Sequence, residues 1–103
     1  MIQSITLIGM EGDIFMQERF FLYDDTYDTK TRFVSFMGES SRVDFALLRT
    51  DRFYGKTVVL DMQGNRFAII GADDLEEPGY LEHAFNLSED EAAEWKEFLY
   101  EVI

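Results

Sequence analysis

The stretch Lys56-Thr57-Val58-Val59-Leu60-Asp61-Met62-Gln63-Gly64-Asn65-Arg66-Phe67-Ala68-Ile69-Ile70 decides the fold class. Two β-branched and apolar runs flank Gln63-Gly64-Asn65, where Gly and Asn tolerate the positive φ of a tight hairpin, so the segment reads as two antiparallel strands and their turn. Working outward, Tyr54-Gly55 and Gly38-Glu39-Ser40-Ser41 mark two further turns. Strands are expected near 19–23, 31–37, 42–50, 56–62, 66–70 and 80–85, at the spacing of an antiparallel meander. Pro78-Gly79, after Glu76-Glu77, marks a loop, and residues 73–77 read as one turn of helix.

The clearest local signal comes last. Ser88 with Glu91 three residues on forms a capping box, and Glu89 and Asp90 are favoured by the helix dipole. Trp95, Phe98, Leu99 and Val102 then recur at i, i+3, i+4 and i+7, which lines them up as one apolar stripe facing the sheet. The expected architecture is α+β: a mostly antiparallel five- to six-stranded meander with one C-terminal helix packed on it.

Val58-Val59-Leu60, Phe67-Ala68-Ile69-Ile70 and the residues around Phe33-Val34 and Phe36-Met37 place apolar side chains on both faces of their strands. A strand buried on one face alternates, and one helix cannot cover both faces of such a sheet. The second face therefore requires closure into a barrel, the N-terminal segment, or a second copy of the chain. A homodimer is the expectation.

At 103 residues the chain is one domain, and 47% hydrophobic with 16% aromatic residues is a composition that packs. Cysteine is absent, which removes disulfides, thiolate metal sites and a Cys nucleophile, and fits a reducing compartment. The beginning of the chain lacks the basic region of a signal peptide, and no run approaches the ~20 apolar residues of a membrane span. A cytoplasmic protein with no membrane association is expected. Residues 1–15 are richer in Ile, Gly and Met than the more charged and aromatic segment that begins at Met16. They read as an N-terminal extension, with 16–103 as the single domain, and two readings of it stand: a segment upstream of a natural start at Met16, or a further strand over Ile2 to Ile8.

The net charge of −12 is uneven: residues 71–103 hold eleven carboxylates against Lys96 alone, a charge of −10, leaving −2 for the rest. Such a field opposes direct nucleic-acid binding and favours a basic protein partner. On the C-terminal helix Asp90, Glu94, Glu97 and Glu101 form a second stripe, whose like-charge neighbours each cost an exposed helix about 0.2–0.5 kcal/mol. Two readings of it stand: solubility of an exposed face, or a docking face for the basic partner.

Phosphate-binding glycine loops, a nucleophile elbow and a His-Glu-x-x-His are missing, and His83 is the one histidine, so no catalytic residue is assigned and no cofactor is expected. Two acidic groups remain, Asp24-Asp25 with Asp28, and Asp73-Asp74 with Glu76-Glu77. Carboxylates brought together from loops suit hard cations, so Asp24, Asp25, Asp28, Asp73 and Asp74 are the candidate metal ligands of an alternative reading, while solvated turns are the leading account of both groups. Asp24-x-Thr26-x-Asp28 fails as a calcium loop because Thr29 stands where Gly is needed. Arg42, Arg49, Arg52, Lys56 and Arg66, interleaved with Phe53 and Tyr54, suit an anion or, in so acidic a chain, its own carboxylates.

The words Arg19-Phe20-Phe21-Leu22-Tyr23-Asp24-Asp25-Thr26, Asp28-Thr29-Lys30-Thr31-Arg32-Phe33-Val34-Ser35-Phe36, Arg52-Phe53-Tyr54-Gly55-Lys56 and Asp73-Asp74-Leu75-Glu76-Glu77-Pro78-Gly79-Tyr80-Leu81-Glu82 carry a resemblance. The chain resembles an uncharacterised family of short, acidic cytosolic proteins from Firmicutes, a domain of unknown function. The likeness covers about residues 16–99, and members begin near Met16, so 1–15 departs from the pattern. It implies a compartment and supplies no activity or site residue. The functional expectation is a non-enzymatic interaction or regulatory protein that binds a basic partner through its acidic C-terminal third. The alternative is a small metal-dependent hydrolase or ligand-binding protein.

Overall fold

A computed structural model describes residues 19–39 and 41–103. Four strands, β1 (Lys30–Met37), β2 (Arg42–Arg49), β3 (Thr57–Asp61) and β4 (Arg66–Ile70), form one antiparallel sheet in the order β1-β2-β3-β4. Three helices come after the sheet: α1 (Ala72–Leu75), α2 (Tyr80–Phe85) and α3 (Glu89–Val102).

The turns form where Gly and Asn allow them. Asn65 adopts φ 58° and its amide donates to the Asp61 carbonyl at 2.9 Å, while the Gly64 amide donates to Asp61 Oδ1 at 3.1 Å. At the β1–β2 turn the Gly38 amide donates to the Ser41 carbonyl at 2.8 Å. The capping box of α3 is complete: Glu91 N donates to Ser88 Oγ at 3.1 Å and Ser88 N to Glu91 Oε1 at 2.9 Å.

Two expected strands are not strands. Residues 80–85 are α2, which starts after Gly79 at φ 79°, where a side chain would be strained, and buries Leu81 and Phe85 one turn apart. Residues 19–23 have no strand partner among the described residues; their aromatic rings are exposed, and Tyr23 lies under the Arg52 guanidinium at 4.5 Å. Among the described residues the sheet therefore has four strands rather than five or six; α1 falls where residues 73–77 read as a helical turn, and α2 is the helix that was not expected. The reading of residues 1–15 lies outside the described residues.

Cross-strand register assigns the faces. Val34, Phe36, Val43, Phe45, Leu47, Val59, Ala68 and Ile70 share the face under the helices and pack with Leu75, Leu81, Phe85, Ala92, Trp95, Phe98, Leu99 and Val102. Phe45 is fully buried: Trp95 meets it edge-on at 4.9 Å, and Phe36 stacks on Phe98 at 4.1 Å. The opposite face carries the row Phe33, Ala46, Leu60, Phe67 beside the row Thr31, Leu48, Val58, Ile69. Phe33 and Phe67 are 70% and 63% exposed. Apolar residues thus lie on both faces, and among the described residues the helices cover one and β1 and β4 do not close into a barrel.

Phe45→Ala removes the ring that joins sheet to α3 and is expected to lower stability by about 3–5 kcal/mol in urea denaturation followed by Trp95 fluorescence.

Candidate functional site: a mixed-charge cleft and an acidic flank

At one end of the sheet the start of β1, the end of β2, the turn before β3 and the start of α1 surround a cleft of about 580 Å³. Register sets Lys30 opposite Arg49, and both line it with Lys56, Asp28, Asp51 and Tyr100. Arg49 donates to the Val102 carbonyl at 3.4 Å. Lys56 Nζ meets Asp74 Oδ2 at 3.0 Å. That oxygen also accepts from the Gly71 amide at 2.8 Å at the start of α1. The Gly71 amide, and after it Lys56, hold the Asp74 carboxyl below its ordinary value, and the Asp74 bond raises the Lys56 amine above its own. Tyr80 donates to the Ile69 carbonyl at 3.4 Å, and burial pushes its hydroxyl up.

Of the candidate metal ligands, Asp24, Asp25 and Asp28 are exposed in the segment before β1, and Asp73 and Asp74 sit on α1. Asp25 pairs with Arg52 at 3.5 Å, and Asp74 is held by Lys56 and Gly71. Among the described residues no three His, Asp or Glu side chains are gathered as a metal would require. Most of the arginine cluster turns to the chain's own groups: Arg42 to Asp44 at 3.1 Å, Arg52 to Asp25, Tyr23 and Tyr27, and Lys56 to Asp74. His83 is exposed on α2.

The acidic stripe occupies one flank of α3. Asp90, Glu97 and Glu101 are exposed, whereas Glu94 is half-buried and accepts from the Glu39 amide at 2.8 Å. Gly38 lets that carboxylate in, since a Cβ there would meet Glu94 Oε1 at 2.6 Å. Glu94 therefore fastens α3 to the β1–β2 turn, a role that helical periodicity does not show. Lys30 belongs to the cleft only through the hairpin register, and the expected basic cluster omits it.

A family model matches residues 22–101. The chain belongs to the SAV0927-like family. The match spans all four strands and most of α3, so the cleft and the acidic flank both lie on the SAV0927-like core. No curated protein matches the chain significantly. Among the described residues no helix is long and apolar enough to cross a membrane.

Because its folded pKa is depressed, Asp74 contributes stability above its ordinary pKa of 3.8, lost as pH falls through the folded value. Asp74→Asn is expected to destabilise this SAV0927-like chain at neutral pH and to converge with the native chain in urea titrations as pH drops from about 5 to about 2. Arg52→Ala removes the anchor of Tyr23, Asp25 and Tyr27 and is expected to raise cleavage within 19–29 at least several-fold in limited proteolysis, with the Trp95 unfolding transition little changed.

Proposed function

We propose that this SAV0927-like chain is a non-enzymatic interaction or regulatory protein, working as a homodimer, whose acidic C-terminal third engages a basic partner protein. The observation that carries the reading is the unneutralised helical layer. Glu77, Glu89, Asp90, Glu97 and Glu101 are exposed and in no ion pair among the described residues. Lys96, the one lysine or arginine of the last third, is already 3.8 Å from Glu76. Asp90, Glu97 and Glu101 repel one another on one helix flank, a cost that local helix formation does not return and that a cationic partner would.

The homodimer rests on the sheet. Its uncovered face and its edge strands remain without a partner among the described residues, and Phe33, Met37 and Phe67 are exposed there. The hydrolase reading has no comparable support, since Asp25 and Asp74 face cations of their own.

The test is capture from a lysate of the source organism by the native chain and by an Asp90→Asn, Glu97→Gln, Glu101→Gln variant. A basic protein retained in stoichiometric amount at low salt, released near about 0.5 M salt and bound at least tenfold less by the variant is expected. Equal retention by both chains, or no basic protein, contradicts the reading.

A further inference from the structure

The cleft at the end of the sheet gathers charges that do not cancel. The β1–β2 register sets Lys30 directly opposite Arg49, on the side of the sheet that carries Phe45 and Leu47, and such cross-strand partners stand about 5 Å apart at Cβ. Two cations so placed repel, and neither is in an ion pair among the described residues. The Arg49 guanidinium turns instead to a neutral acceptor, the Val102 carbonyl at 3.4 Å, which ties it to the end of α3 and leaves its charge uncompensated. Lys56, the third cation of the lining, is already bound to Asp74 at 3.0 Å.

Two carboxylates share the cleft. Asp28 precedes Lys30 by two residues and Asp51 follows Arg49 by two, so each lies just beyond the last pair of the ladder, and both line the same space. They too are in no ion pair among the described residues. At about 3.3 Å per extended residue, carboxylates and cations stand up to about 7 Å apart along the chain. A carboxylate and an ammonium on one short skeleton, each with a charge-assisted hydrogen bond of about 2.8 Å, span that distance. Ile70, Leu75, Ile103 and the Tyr100 ring supply an apolar wall, and 580 Å³ falls within the roughly 300–1,000 Å³ of small-ligand sites.

We propose that this cleft binds a small zwitterion of the amino-acid kind, with a carboxylate, an ammonium and an apolar side group. Lys30 and Arg49 take the carboxylate, Arg49 through the N–H donors that Val102 does not use, and Asp28 and Asp51 take the ammonium. The side group lies against Tyr100, Ile103 and Leu75. A simple anion would satisfy the cations and be repelled by the aspartates, and a simple cation would meet the converse, so the lining selects a ligand that carries both signs. A divalent cation would answer the two aspartates alone, and among the described residues no third carboxylate or histidine is gathered with them. The site does not rest on the basic-partner reading and stands or falls without it.

The test is titration of the native chain, followed by amide NMR, with free phenylalanine and free leucine, and with 3-phenylpropionate and phenethylamine, which keep the ring and carry one charge each. Phenylalanine or leucine is expected to move the amides of residues 28–30, 49–51 and 100–103 saturably. Where phenylalanine binds, its Kd should lie about tenfold below that of either single-charge analogue. Lys30→Met and, separately, Asp51→Asn should each weaken zwitterion binding about fivefold while the Trp95 unfolding transition stays in place. No saturable shift from phenylalanine or leucine up to about 20 mM overturns the proposal. So does 3-phenylpropionate binding as tightly as phenylalanine, which would make the cleft a plain anion site, and so does binding indifferent to both substitutions.

Discussion

The edge-on contact of Trp95 with Phe45, 4.9 Å between ring centroids, is the joint on which the rest depends. Phe45 sits on β2, inside the sheet, and is fully buried; Trp95 is the first large residue of the α3 stripe. Phe85 reaches the same indole at 5.1 Å and brings α2 with it, while Phe98 stacks on Phe36 and sets α3 against β1. Five rings on two strands and two helices thus fix the position of the helical layer. Aromatic pairs of this geometry add to the burial of their area, so α3 has one favoured azimuth on the sheet.

That azimuth decides what the surface offers. With Trp95, Leu99 and Val102 inward, Asp90, Glu97 and Glu101 emerge toward solvent, and Glu94 lands on the Glu39 amide. The helical layer is therefore acidic on its outer side. The face opposite the helices is different in kind: its Arg42 and Asp44 cancel at 3.1 Å, with Ser35 and Gln63 donating to Asp44, and apart from Thr31 the rest of its strand residues are apolar. The Ser35 hydroxyl foremost, with Arg42, holds Asp44 below the ordinary carboxylate range.

The fold class, the four central strands and the α3 start were legible because each has a short-range cause. Asn65 at φ 58° and the Ser88–Glu91 box act within a few residues, and pattern reading finds them. Residues 80–85 misled because six residues barely complete one and a half helical turns, and Tyr80, Leu81 and Phe85 suit a strand equally; the i, i+4 pair Leu81 and Phe85 was the available clue. The aromatic run at 19–23 reads as a strand by propensity, yet its fate is decided by Arg52, some thirty residues away. The cleft was invisible for the same reason, since Lys30, Arg49 and Lys56 meet only through register. The acidic stripe was readable residue by residue, but periodicity does not show that Glu94 is spent on a turn while its neighbours remain free.

The proposal that the acidic side of α3 docks a basic partner is tested most directly by amide NMR spectra of the native chain titrated with oligolysine at low salt. Shifts concentrated in Glu89–Val102 and lost near about 0.5 M salt are expected, while β4 stays as it was. Shifts spread evenly over every acidic segment, or none, would contradict it.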